Sequence, residues 1–575
     1  MRMLLLGVLV SGLVMAGCPA GPEAVKKEDK METKTEGTPE AEAGLKAFIE
    51  KHVARVAPLE KEQNLAFWDA TTTGKKESYD LSSQKELEIR KVYSDPKAFE
   101  FLKEVKAGGK VQDPLLRRQL TVLYLAFEEN QVPAELLAKM VNLSTEIQKT
   151  FNDYRGTVGG KEVTDNDIYD ILKSSTDSKK RREAWESYKQ RGALVRDKVL
   201  ELVKLRNQAA KQLGYDNFYE MRLKLIEQDP EEIRSIFDDL AKQTDEPFKQ
   251  LVGQINAKLA KRYGVKPEEL RPWHYEDPFF QEAPTIGKLE LDPLFSKSDP
   301  RVLVNGFFKG ADLDPADILD RSDLYEKKGK MPHAYCIHMD RKGDVRILSN
   351  LRNSERWTST LMHEMGHAVY DKYIDRGLPW LLREPSHSFT TEAIAELFGR
   401  LTRNPVWIEK MLKIPQEKIG KVADDIRLQL RMTMLIMARW TMVMVNFERE
   451  LYKNPDQDLN KLWWNLKKRY QLLAPPEGRD APDWASKIHI ACWPAYYHNY
   501  TLGELMASQL LDHMAKTVLK TDDPAGIDGV GRAELGHYLK EKIFKPGNSL
   551  RWDQLLIQAT GESLNPKYFA EQFVK

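Results

Sequence analysis

Cysteine is almost missing from this sequence. Three occur in 575 residues, Cys18, Cys336 and Cys492, too few for a disulfide framework to hold so long a chain. The fold must rest on an apolar core, and a chain of this length can bury a large one. Cys336 and Cys492 are expected as two buried thiols, with a single bridge between them as the alternative. A charge excess is missing too. Lys+Arg is 88 and Asp+Glu is 87, so no basic field draws in nucleic acid. After the first residues, no apolar run is long and uninterrupted enough to span a membrane. No internal repeat is present, which argues against a structural envelope protein.

The N-terminus is the exception in composition. Arg2 is followed by an apolar run from Leu4 to Met15, then Ala16, Gly17 and Cys18. The run is short for a bilayer span and has the shape of a secretory signal. Val14-Met15-Ala16-Gly17-Cys18 resembles a bacterial lipoprotein signal, cut before a cysteine that then carries lipid. The expectation is a signal over residues 1–17, lipidation at Cys18, and a disordered tether over 18–42, where Lys, Glu, Thr and Pro dominate. The mature domain, 43–575, would then sit in the bacterial cell envelope, held to a membrane by its lipid on the periplasmic or outer-surface side. An ordinary signal peptide with a chance cysteine is the alternative.

From Leu45 onward the apolar pattern is helical. Over 182–212, Trp185, Tyr188, Val195, Val199, Leu202, Val203 and Ala210 recur at spacings of three, four or seven, and charged residues fill much of the opposite face. Gly214 ends that run and Asp216-Asn217 starts the next. One segment breaks the trend. His333 to Met339 alternates and is rich in strand formers, Asp340 to Gly343 is a turn, and Asp344 to Leu348 continues as a second strand, which predicts a β-hairpin. The fold class expected is therefore predominantly all-α with one small hairpin.

The segment His363-Glu364-Met365-Gly366-His367 is H-E-x-x-H. On a helix the two histidines stand at i and i+4 on one face, so both imidazoles reach one ion. Glu364 lies beside that ion and can take a proton from a bound water. Leu361, Met362, Met365, Ala368 and Val369 make the helix largely apolar, and histidines in such a helix require a satisfying partner. A catalytic zinc takes three protein ligands and keeps one position open. Downstream, Glu392 and Glu396 sit at i and i+4 in Thr391-Glu392-Ala393-Ile394-Ala395-Glu396-Leu397-Phe398. One can ligate while the other accepts an N–H from a ligating histidine. Asp371, four residues after His367, is a further candidate for that supporting role.

These residues together resemble the angiotensin-converting enzyme (peptidyl-dipeptidase A) family of zinc metallopeptidases. HEMGH is the family's own motif, and Glu392-Ala393-Ile394 matches the segment that carries its third ligand, with a spacing one residue longer than expected. Glu396 stands where the family has an aspartate. His333-Ala334 resembles its substrate-binding strand, and Lys487-Ile488-His489-Ile490 its Lys-Phe-His-Ile. Tyr497 and Tyr500 resemble its tyrosine pair, with one extra residue after His489. The segment from Arg182 to Tyr215 resembles its long helix, and Leu462-Trp463-Trp464 its paired tryptophans. The resemblance runs from about residue 43 to the C-terminus. It implies an ellipsoidal, nearly all-helical fold with two subdomains around a deep central channel.

What the resemblance implies for the site follows residue by residue. His363, His367 and Glu392 hold one Zn2+ and Glu364 is the base. His489 and Tyr500 donate to the developing oxyanion. His333 and Ala334 meet the substrate backbone, and Lys487 and Tyr497 hold its terminal carboxylate. Substrates are short unstructured peptides. By residue type alone, His333 and His489 fit satisfied core histidines equally well, Tyr497 and Tyr500 fit packed aromatics, and Lys487 fits a surface lysine. Two departures stand out. The family's carboxylate-gripping glutamine has Trp273-His274-Tyr275-Glu276 as its nearest counterpart here, and an arginine tied to chloride activation is Asn499. Dipeptide release and chloride dependence therefore stay open. The alternatives are a thimet-like endo-oligopeptidase and a catalytically dead peptide-binding lipoprotein.

Overall fold

The structure, a computed structural model, describes residues 39–287 and 289–574; the signal, Cys18 and most of the expected tether lie outside them. The chain is built from helices, and the described strands form two two-stranded hairpins. The first helix, Pro39–Thr73, begins four residues before the domain start expected from composition. It pairs with a second, Lys76–Tyr93. No helix among the described residues is long and apolar enough to cross a membrane.

The long amphipathic run expected over 182–212 is the helix Ser178–Gln212. The Asp177 carboxylate caps its start by accepting from the Lys179 and Lys180 N–H groups, which have no carbonyl partner inside the helix. Trp185, Val195, Val199, Leu202 and Val203 on its inner face are buried in the main core. That core is continuous from Ile147 to Phe573, and a smaller one under the first helix takes in Trp380 and Leu381. Burial on this scale, at about 25 cal/mol per Å² of apolar surface, stands in for the missing disulfides.

The expected hairpin is present but shorter. β3, Tyr335–His338, pairs antiparallel with β4, Val345–Leu348. His333 and Ala334 precede the strand and His333 is exposed. The ladder runs no further back than Tyr335, whose hydroxyl lies 2.5 Å from Thr71 Oγ1 of the first helix. Met331 donates its N–H to Thr71 O at 2.8 Å, which fixes the approach to the strand from the same side. A second hairpin, β1 (Gly156–Val158) with β2 (Lys161–Val163), was not expected. Three-residue strands carry too little alternation to be read from sequence. No disulfide joins Cys336, which is buried, to Cys492, which is half-buried.

Candidate metal centre

H-E-x-x-H lies in the helix Glu355–Tyr373, which Ser354 caps by accepting from Trp357 N at 3.2 Å. Glu392 and Glu396 lie in the helix Ser388–Gly399. His387 caps that helix through Nδ1, which accepts from Phe389 N at 3.1 Å. The two helices touch at Gly366, where a Cβ would stand 2.7 Å from Ala395 Cα. Only glycine permits that approach, and it is what brings Glu392 within reach of both histidines. A third helix, His498–His513, closes on the same point through Gly503, where a Cβ would lie 3.2 Å from Glu392 Cβ.

The result is one cluster. Donor atoms of His363, His367 and Glu392 all lie within 4.8 Å of one another. Glu392 Oε2 is 3.6 Å from His363 Nε2 and 3.8 Å from His367 Nε2. Bonds of about 2.0–2.2 Å to a tetrahedral ion set donors roughly 3.3–3.5 Å apart, so these spacings suit zinc. The outward ring nitrogens are engaged separately: His367 Nδ1 with Thr391 Oγ1 at 2.7 Å, and His363 Nδ1 with Glu396 Oε1 at 3.5 Å. Each imidazole is thus turned with Nε2 toward the centre, the orientation a metal requires. Two nitrogens and one carboxylate form the set that leaves a fourth position for solvent. Glu396 stands in the supporting place expected for it. Thr391 was missed, because a lone threonine has no spacing that marks it. Asp371 is buried one turn beyond His367.

Burial sets the charge states. It drives the His363 imidazole well below its usual range, so the ring is neutral and its lone pair free for a metal. It holds Glu392 above the ordinary carboxylate range, with Glu364 and Glu504 adding repulsion. A divalent cation placed between these groups would relieve both burdens. Glu364 is 3% exposed and lines a cavity of about 440 Å³ that His363 and Glu396 also line.

His489, Tyr497 and Tyr500 come together as one aromatic group. Tyr497 packs edge-on against His489 at 5.1 Å and against Tyr500 at 5.3 Å between ring centroids. Burial lowers His489 to about 3 and raises Tyr500 to about 12. Both are therefore neutral hydrogen-bond donors near neutral pH. His489 Nδ1 is buried without a hydrogen-bond partner. Arg206 braces this segment from the long helix by donating to the Ile490 and Ala491 carbonyls.

Lys487 is 8% exposed, not the surface lysine its type suggests. Its Nζ donates to Gln281 Oε1 at 2.6 Å. The place marked by Glu276 holds no glutamine, as the sequence reading has it, and Gln281, five residues on, is the amide beside Lys487. Glu276 is instead buried against Arg262. The chain turns between them through two left-handed residues, Glu276 (φ 65°) and Phe280 (φ 54°). Asp277 holds the turn, accepting from Phe279 N at 2.7 Å and Gln281 N at 2.9 Å. Tyr497 is tied to the same group through its hydroxyl, which accepts from Trp440 Nε1 at 2.7 Å. Asn499 is buried and accepts from Gln228 Nε2 at 2.9 Å, so two neutral amides meet there.

Comparison with known proteins accounts for this arrangement. The family model described as angiotensin-converting enzyme matches residues 39–272 and 307–573. The chain is 20% identical over 571 residues to angiotensin-converting enzyme-like protein Ace3 of Mus musculus, covering 93% of this chain and 76% of that protein. It is 26% identical over 214 residues to the angiotensin-converting enzyme of Oryctolagus cuniculus, covering 35% of this chain and 15% of that enzyme. The match takes in most of the chain and both helices of the cluster, and this protein belongs to the angiotensin-converting enzyme family of metallopeptidases.

Proposed function

We propose that this protein is a zinc-dependent peptidyl-dipeptidase that removes C-terminal dipeptides from short, unstructured peptides. The carrying observation is the convergence of His363, His367 and Glu392 with a buried Glu364 at the edge of a cavity. Zinc held by these three residues would supply Lewis acidity toward the scissile carbonyl and its attacking water.

The chain's own residues supply the rest. Glu364 takes the proton from the attacking water and passes it to the leaving amine. Tyr500 through its hydroxyl and His489 through its ring N–H, both neutral, donate to the carbonyl oxygen as charge grows there. The exposed approach at His333-Ala334 offers backbone groups that an extended peptide can pair with. At the far side Lys487, with Gln281 and Tyr497 around it, grips the terminal carboxylate. A buried ammonium whose one hydrogen-bonded partner is a neutral amide suits an incoming anion. Neutral Asn499 and Gln228 give no charge to hold a chloride there, so activity should not depend on that ion. Lipidation at Cys18 would hold the enzyme to the cell envelope.

The test is mass spectrometry of the products from one peptide with a free and with an amidated C-terminus, with and without chelator. Dipeptide release from the free peptide alone, abolished by chelator, supports the proposal. Equal internal cleavage of both peptides would show an endo-oligopeptidase instead.

A further inference from the structure

Beside Glu364 the cavity of about 440 Å³ runs away from the metal cluster along the helix Ala423–Lys453. Leu430, Met434 and Met437 of that helix form one wall, and Phe569 joins them. The opposite end is polar: Glu396, Glu504, Arg400 and Thr501. Arg400 Nη1 pairs with Glu504 Oε2 at 3.0 Å. Arg403 also reaches the cavity, but its guanidinium is taken by Glu355 at 3.1 Å. Glu396 is hydrogen-bonded to Glu504 rather than paired with an arginine of its own. Thr501 is 2% exposed, lines the same cavity, and its Oγ1 has no hydrogen-bond partner. A buried hydroxyl left unmatched at the rim of an acidic pair marks a place shaped for a donor from outside.

The position of the cavity identifies that donor. Met437 lines it, and Trp440, three residues further along the same helix, donates to Tyr497 beside Lys487. One helical turn rises about 5 Å. The cavity thus opens beside His363 and Glu364 and, at Met437, comes within one helical turn of the residue that braces the carboxylate grip, which puts it within reach of a side chain on the departing dipeptide. We propose that it is a specificity pocket for a basic side chain, lysine or arginine, on that dipeptide. The aliphatic stem lies along Met434 and Met437, and the cationic head meets Glu504, Glu396 and Thr501. The orientation rests on the dipeptide-release reading above.

Binding and cleavage can be read separately. On full-length protein in detergent with its metal in place, calorimetry would compare dipeptides with lysine at either position against the same dipeptides with norleucine, which has the stem but no ammonium. Lysine should bind at least about tenfold tighter at one position. Glu504→Gln should bring that ratio toward one, and Glu504→Asp should keep part of it. If Glu504→Gln fails to fold, as thermal melting would show, the wild-type ratio still decides. Equal binding of the two dipeptides, or binding of neither, overturns the pocket whether or not peptides are cut. A retained lysine preference in the same zinc-loaded protein, if it cuts no peptide, would uphold the pocket and overturn only the peptidase reading.

Discussion

The two ends of the site are electrostatic opposites built by the same means. At the metal end, Glu364, Glu392, Glu396 and Glu504 gather around His363 and His367, with Arg400 paired to Glu504. At the other, Lys189, Lys467 and Lys487 are all buried, close to Asp277 and Asp483. Burial raises the carboxyl groups Glu392 and Glu504 and lowers the lysines, Lys467 to about 7 and Lys487 to about 8. Each end is costly until a partner of opposite sign arrives. On the function proposed above, that partner would be a divalent cation for the first and a carboxylate for the second. A peptide lying between them would be held by its terminus at one end and polarised at its carbonyl at the other. Recognition and chemistry can therefore be damaged independently, and the experiments below separate them.

Damage at the metal end should cost most. Glu364→Gln should keep zinc, measured by metal analysis of the purified protein, and lower kcat by about 10³-fold or more. His363→Ala should lose the metal and with it all cleavage, which chelation of the wild type should reproduce. A Glu364→Gln variant that cut peptides at the wild-type rate would remove the base assignment. Next comes Tyr500→Phe, which deletes one donor to the developing oxyanion. A fall of about 10²-fold in kcat with little change in KM is expected. A change confined to KM would place Tyr500 with the grip instead.

The metal end was legible in the sequence and the carboxylate end largely was not, for a physical reason. His363 and His367 are positioned by the pitch of one helix, so spacing alone implies their geometry, and Glu392 to Glu396 repeats the argument on a second. Gln281 obeys no period. Its place depends on the two left-handed residues Glu276 and Phe280, on Asp277, and on Trp185, which donates to Pro278 O at 3.0 Å from another helix. Spacing arguments do not reach a residue placed this way. Thr391 and the His387 cap were invisible likewise, since each is identified only by what packs against it. The helical fold itself was readable because long apolar stripes such as 182–212 need no tertiary knowledge. The strand ends were not, because the approach to β3 is held by Thr71, some 260 residues before Tyr335, through Met331 and the Tyr335 hydroxyl.

Damage at the carboxylate end should be milder and appear in binding. Lys487→Ala should lower kcat/KM roughly 30-fold on peptides with a free C-terminus, mainly through KM. Amidating the substrate should cost the wild type about the same and cost the variant little more, because both changes delete the same ion pair. A full additional loss on amidation in the variant would show that Gln281 and Tyr497 grip the carboxylate without the lysine.

The smallest effect is the pH profile, and it tests the contrast in charge most directly. Lys487 is held at about 8 in the free enzyme by burial, partly offset by Asp277 and Glu282. Below that pH it is an ammonium and binds a carboxylate; above it the amine is neutral and the attraction is gone. Because kcat/KM reports ionisations of the free enzyme, it should fall about tenfold for each unit of pH above 8 on free-terminus peptides, until the weaker binding without the ion pair is reached. His489 at about 3 and Tyr500 at about 12 do not titrate in this window. Lys467, at about 7, lies close enough to confuse the assignment. Lys487→Arg resolves it, since a guanidinium stays charged throughout. That variant should lose the alkaline limb, and amidated peptides should show none in either protein. An alkaline limb that survives in Lys487→Arg would assign the titration to Lys467, leaving the grip to act through neutral hydrogen bonds alone.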